Sequence, residues 1–170
     1  MRRILLAAAA FLASVAAIGG VIGVQTDFKA SLSGSEEVPA VSTSGHGSFA
    51  AKLAGDELAY ELRYTWLEGA PLFAHIHLGG SGTNGGVIAF LCGGGGKPAC
   101  PAPPGMVSGT IVPADVVGPA SQGIDPGEFA ELVRELKSNL TYVNVHTDRF
   151  PSGEIRGQIA KRFTRNYPTR

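Results

Sequence analysis

The chain has 170 residues, with Lys plus Arg and Asp plus Glu both at 14 and a formal net charge of zero. Scattered charge of both signs excludes the one-sided basic field that nucleic-acid binding requires. The 24 glycines and 11 prolines favour short strands and turns over long helices.

The N-terminus sets the compartment. Arg2 and Arg3 precede an uncharged apolar run from Ile4 to Val24, the pattern of a secretory signal peptide. The run is also long enough to serve as an uncleaved membrane anchor with its arginines on the cytoplasmic side. Residues 1–26 are therefore expected to be a signal peptide or an N-terminal anchor. Either one sends the remainder out, to a secreted, periplasmic or outward-facing membrane-tethered location. Residues 27–160 make one domain of adequate size, and residues 161–170 make a basic tail.

Period-two alternation then recurs. Phe28, Ala30 and Leu32 alternate with polar residues, and so do Phe49, Ala51 and Leu53. Leu58, Tyr60, Leu62 and Tyr64 share one face, and Gly55-Asp56 supplies a hairpin turn before them. Trp66, Tyr60 and Tyr64 read as core or half-core residues. Further strands are predicted over Leu72–Leu78, Val87–Leu91, Met106–Val112, Thr141–Thr147 and Glu154–Ala160. Cys92 and Cys100 flank a glycine-rich stretch, and in an exported chain such a close pair reads as a disulfide. Phe129, Leu132, Val133 and Leu136 break the rhythm with helical spacing. Asp125 as N-cap with Pro126 next predicts one short amphipathic helix over Pro126–Lys137. The fold class is thus all-β, an antiparallel Greek-key β-sandwich with one helix.

The chemistry concentrates in two of these strands. His75 and His77 alternate with Ala74, Ile76 and Leu78, and His146 follows Asn144 opposite Val143 and Val145. Alternation places the two histidines of the first strand on one face, about 7 Å apart. Both strands turn their apolar residues the other way, so neighbouring strands would gather three imidazoles into one patch on the face away from the core. Neutral imidazoles suit copper or zinc and leave a position open. His75, His77 and His146 are therefore the predicted metal ligands, with a copper ion favoured over zinc as cofactor. Asn144 is placed to orient an imidazole. Glu154 and Arg156 read as a cross-sheet salt bridge or a strand-to-loop clamp, Asp148 as a turn former, and His46 as a bystander. No catalytic frame of paired carboxylates or activated serine is present, so no catalytic residue is assigned.

Gly34-Ser35-Glu36-Glu37-Val38-Pro39-Ala40-Val41, Ala74-His75-Ile76-His77-Leu78-Gly79, Phe90-Leu91-Cys92, Tyr142-Val143-Asn144-Val145-His146-Thr147 and Pro151-Ser152-Gly153-Glu154-Ile155-Arg156-Gly157-Gln158-Ile159 together resemble the CHRD domain family. The resemblance runs from about Phe28 to Ile159 and implies a compact antiparallel β-sandwich. It implies no settled activity. A narrower likeness, a His-x-His strand plus a distant strand histidine on an exported sandwich, is to the copper site of copper-zinc superoxide dismutase. The histidine-rich loop of the adjoining zinc site has no counterpart here, and similar ligands do not establish the same reaction. The functional expectations are a metal-binding exported module, a structural or protein-interaction module without metal, or a small dismutase-like redox enzyme.

Overall fold

A computed structural model describes residues 26–162. The expected leader lies outside the described residues. Nine strands follow in chain order: β1 Thr26–Ser33, β2 His46–Ala54, β3 Glu57–Thr65, β4 Pro71–Leu78, β5 Val87–Cys92, β6 Gly105–Ile111, β7 Thr141–Thr147, β8 Ile155–Gln158 and β9 Ala160–Arg162. One helix, α1, spans Phe129–Lys137 between β6 and β7. The strands pair antiparallel in the order β5-β4-β7-β8-β1-β2-β3-β6, with β9 also on β1. Lys161 and Arg162, the first residues of the expected tail, thus belong to a strand.

The two end strands β5 and β6 approach one another, so the sheet is rolled almost into a barrel around a single core. The Tyr60 hydroxyl of β3 donates across the interior to the Leu91 carbonyl of β5 at 2.8 Å. The Tyr64 hydroxyl donates to Pro101. Insertion of β7 between β4 and β8 brings two segments distant in sequence side by side. The core is the set that alternation predicts: Phe28, Phe49, Leu58, Leu62, Ile76, Val143, Val145 and Ile155 are all buried. Cys92 and Cys100 form the expected disulfide.

Two expectations fail for local reasons. The helix begins at Phe129, three residues later than the capping pattern predicts. Gly127 adopts φ +89° and its N–H bonds to the Val116 carbonyl, which prevents a helical turn there. Glu128 reaches back instead, its carboxylate accepting the Asp125 N–H at 2.7 Å. From Phe129 onward the prediction holds, with Phe129, Leu132 and Leu136 packed into the core. Trp66, in contrast, is 68% exposed. Its parity matches Tyr64, but β3 ends at Thr65 and Trp66 turns out of the strand with φ +57°. Among the described residues no helix is long and apolar enough to cross a membrane.

Candidate metal centre

Strand register assembles the site. Across β4 and β7, His75 pairs with Asn144, His77 with Tyr142, and Phe73 with His146. On the other side of β7, Asn144 pairs with Arg156 and Tyr142 with Gln158 of β8. Because side chains alternate, these residues share one face of the sheet. The three predicted ligands thus come together, each offering a nitrogen within 4.8 Å of the others. His46 does not join them. It is exposed at the start of β2, with its Nδ1 against the Ser44 carbonyl.

The face is not the open surface that the strand pattern suggests. His75 and His77 are each only 7% exposed, and Ala74–His77 is buried on both sides of β4. The cover comes from connections whose path no strand periodicity reveals: the β4–β5 loop over His77, and the β7–β8 turn beside His146. Phe73 stacks on the His75 ring and Phe90 meets it edge-on.

Hydrogen bonds fix two of the tautomers. His77 Nδ1 lies 2.9 Å from the Gly85 carbonyl, and His146 Nδ1 lies 2.9 Å from the Pro151 carbonyl. A carbonyl only accepts, so both Nδ1 atoms carry the proton and both Nε2 atoms present lone pairs. Gly85 is itself required, since a Cβ there would overlap the Leu78 carbonyl. His77 Nε2 is buried and has no hydrogen-bond partner. His146 Nε2 lies 3.2 Å from His75 Nδ1 and 3.0 Å from Asn144 Oδ1; a lone pair cannot accept from an oxygen, so this tautomer requires the Asn144 amide to turn its NH2 toward the ring. In the metal-free arrangement His75 Nδ1–H donates to His146.

This donor set fits a nitrogen-loving cation. Two nitrogens each about 2.0 Å from one ion at the tetrahedral angle stand about 3.3 Å apart. The His75–His146 separation matches that edge. Binding along that edge would require His75 to move its proton from Nδ1 to Nε2, and His77 Nε2, beside the Asn144 side chain, supplies a third lone pair. The imidazoles are also neutral. Burial, reinforced by the His146 and His77 rings, pushes His75 down to about 3. Burial pushes His77 down to about 4, against the Gly85 carbonyl that favours its charged form. Burial lowers His146 as well, opposed by Pro151. Protons therefore do not compete for the site at neutral pH.

Of the two expectations for the neighbouring charges, the strand-to-loop clamp is the one found. Glu154 and Arg156 make no salt bridge with each other. Glu154 is fully buried and accepts from the Thr43 and Thr147 hydroxyls at 2.7 and 2.8 Å, from Glu68 N at 2.7 Å and from Gly69 N at 3.3 Å. Arg156 clamps the β4–β5 loop, donating to Asn84 Oδ1 and to the Thr83 carbonyl. Asp148 does terminate its strand as expected, and its carboxylate accepts the Ala70 N–H at 2.8 Å. Strand alternation could have identified Tyr142, which shares parity with His146 and stacks on His77 at 4.8 Å between centroids. Glu37 had no such signal. It is buried with one carboxylate oxygen unpartnered, and burial, offset by Arg156, pushes it up to about 7.

A family model described as the CHRD domain matches residues 28–159, which includes every residue of the cluster. No curated protein matches the chain.

Proposed function

The chain belongs to the CHRD domain family, and we propose that it is an exported protein that binds one transition-metal ion through His75, His77 and His146, with copper preferred to zinc. The observation that carries this reading is His77 Nε2, a buried lone pair without a partner, within ligand reach of two further imidazole nitrogens. A buried acceptor left unsatisfied costs about 1–3 kcal/mol, a cost that a bound cation removes. An all-imidazole set without carboxylates suits copper and zinc over calcium or magnesium, and for a given nitrogen site affinity rises from zinc to copper. Export is supported by the Arg2-Arg3 leader pattern and by the Cys92–Cys100 bond, which persists in oxidising compartments. Metal analysis of the purified protein after loading with copper and with zinc tests the reading, with one equivalent expected.

A second reading rests on the 3.2 Å contact between His75 and His146. That pair can lock β4 to β7 without an ion, making the domain a structural or interaction module. It predicts no stoichiometric metal. Redox turnover of dismutase type is a further step that needs copper to be bound and its open position to exchange.

A further inference from the structure

The β4–β5 loop, residues 79–86, carries the carbonyl that sets the His77 tautomer; Gln158 and Gln122 hold its two ends at Gly79 and Gly86, and one buried cation holds its middle. The Arg156 guanidinium, 2% exposed, donates through one terminal nitrogen to Asn84 Oδ1 at 3.0 Å. Its other terminal nitrogen donates to the Thr83 carbonyl at 2.6 Å and the Gly80 carbonyl at 3.3 Å. Asn84 in turn donates to the Val38 carbonyl, tying the loop to the segment after β1. A second path leads to the same imidazole. Arg156 lies 3.4 Å over the Tyr142 ring, and the other partner of that ring is His77, stacked with an interplanar angle of 6°. The Tyr142 hydroxyl also receives the Gly85 N–H at 3.2 Å. Loop and ring therefore converge on His77 from a common origin in β8.

We propose that Arg156 is a positioning residue for the metal centre: by clamping residues 80–84 and backing Tyr142, it holds the Gly85 carbonyl against His77 Nδ1 and keeps Nε2 directed into the site. The proposal rests on the metal-binding reading for its consequence but not for its geometry. A planar fork that bonds at both ends and stacks on a ring is a task for arginine. Lysine keeps the charge but reproduces neither the fork nor the stack. Loss of such an orienting partner lowers metal affinity by about 10–100-fold.

Arg156→Lys and Asn84→Ala separate this role from a purely structural one. Long-range proton–nitrogen correlation spectra of the metal-free protein, labelled at histidine nitrogen, report the His77 tautomer directly. The wild type is expected to show His77 protonated at Nδ1 alone, and both variants to show mixed tautomers. Titration with Cu(II) or Zn(II) should weaken by about 10–100-fold in Arg156→Lys and by a smaller factor in Asn84→Ala. Leu132→Ala, a core change on α1, should lower stability while leaving tautomer and affinity unchanged. A folded Arg156→Lys that keeps the single Nδ1–H tautomer overturns the proposal. Should that variant not fold, Asn84→Ala carries the test, since Asn84 is exposed, and an unchanged tautomer there overturns it equally. A wild type that binds neither metal defeats the metal-binding reading, and the tautomer spectra still decide the role of Arg156.

Discussion

Glu154→Ala tests whether the buried carboxylate works as a hydrogen-bond hub, as its partners indicate, or as half of an ion pair. Its two oxygens accept from two threonine hydroxyls and two backbone N–H groups, joining the segment before β2, the loop before β4 and the end of β7. Removing the carboxylate takes away the acceptor of the Glu68 and Gly69 amides. Each stranded donor costs about 1–3 kcal/mol, and the hydroxyls recover part of their loss by rotation. The expected destabilisation is therefore about 3–5 kcal/mol, with the melting temperature lowered by roughly 10 °C for a domain of this size. Glu154→Gln keeps one acceptor oxygen and should lose about half as much. Denaturant unfolding of the single variants, of Arg156→Lys and of the Glu154→Gln/Arg156→Lys pair gives the coupling between the two residues. Because they share no partner, the free energies should add within about 0.5 kcal/mol. A loss below about 1 kcal/mol for Glu154→Ala, or a coupling well above that additivity limit, refutes the hub assignment.

Acid should destabilise the metal-free protein. His75 and His77 titrate near 3 and 4 in the fold against 6.5 for free imidazole, so between these values the unfolded chain binds more protons and stability falls as pH drops below about 6.5. Glu37, raised to about 7 from 4.5, acts oppositely over that window, but one carboxyl proton does not outweigh two imidazole protons. Glu37→Gln should therefore steepen the decline in melting temperature between neutral pH and pH about 5, and a shallower decline would contradict this. Reducing the Cys92–Cys100 bond, with its sequence separation of 8, should cost about 2.5 kcal/mol in the loop-entropy model, measured by unfolding with and without reductant. A negligible change would mean that the loop is held by other contacts. Leu132→Ala empties a fully buried position on α1 and should cost about 2–5 kcal/mol by the same assay.

Period-two alternation made most of the architecture legible because half-buried strands leave a direct imprint in sequence. It also placed His75, His77 and His146 on one face, since Ala74, Ile76, Val143 and Val145 had to face the core. What it missed lies where strand logic stops. The histidine face is buried because two connections fold over it, and a connection's path depends on single carbonyls such as Gly85 and Pro151 rather than on side-chain pattern. Spacing left Glu154 and Arg156 open between a salt bridge and a strand-to-loop clamp, because the loops that each one holds are distant in sequence. Trp66 and Gly127 depart through one positive φ apiece, a conformational choice that composition does not announce.

The most direct measurement of the central claim is a copper titration of the purified protein, followed by metal analysis and electron paramagnetic resonance, with wild type and the His75→Ala/His77→Ala/His146→Ala variant side by side. The account predicts one tightly held equivalent in the wild type with nitrogen hyperfine structure from the imidazoles, and loss of that equivalent in a variant that remains folded. A wild type that retains no stoichiometric copper or zinc, or a triple variant that binds as tightly as its parent, would contradict it.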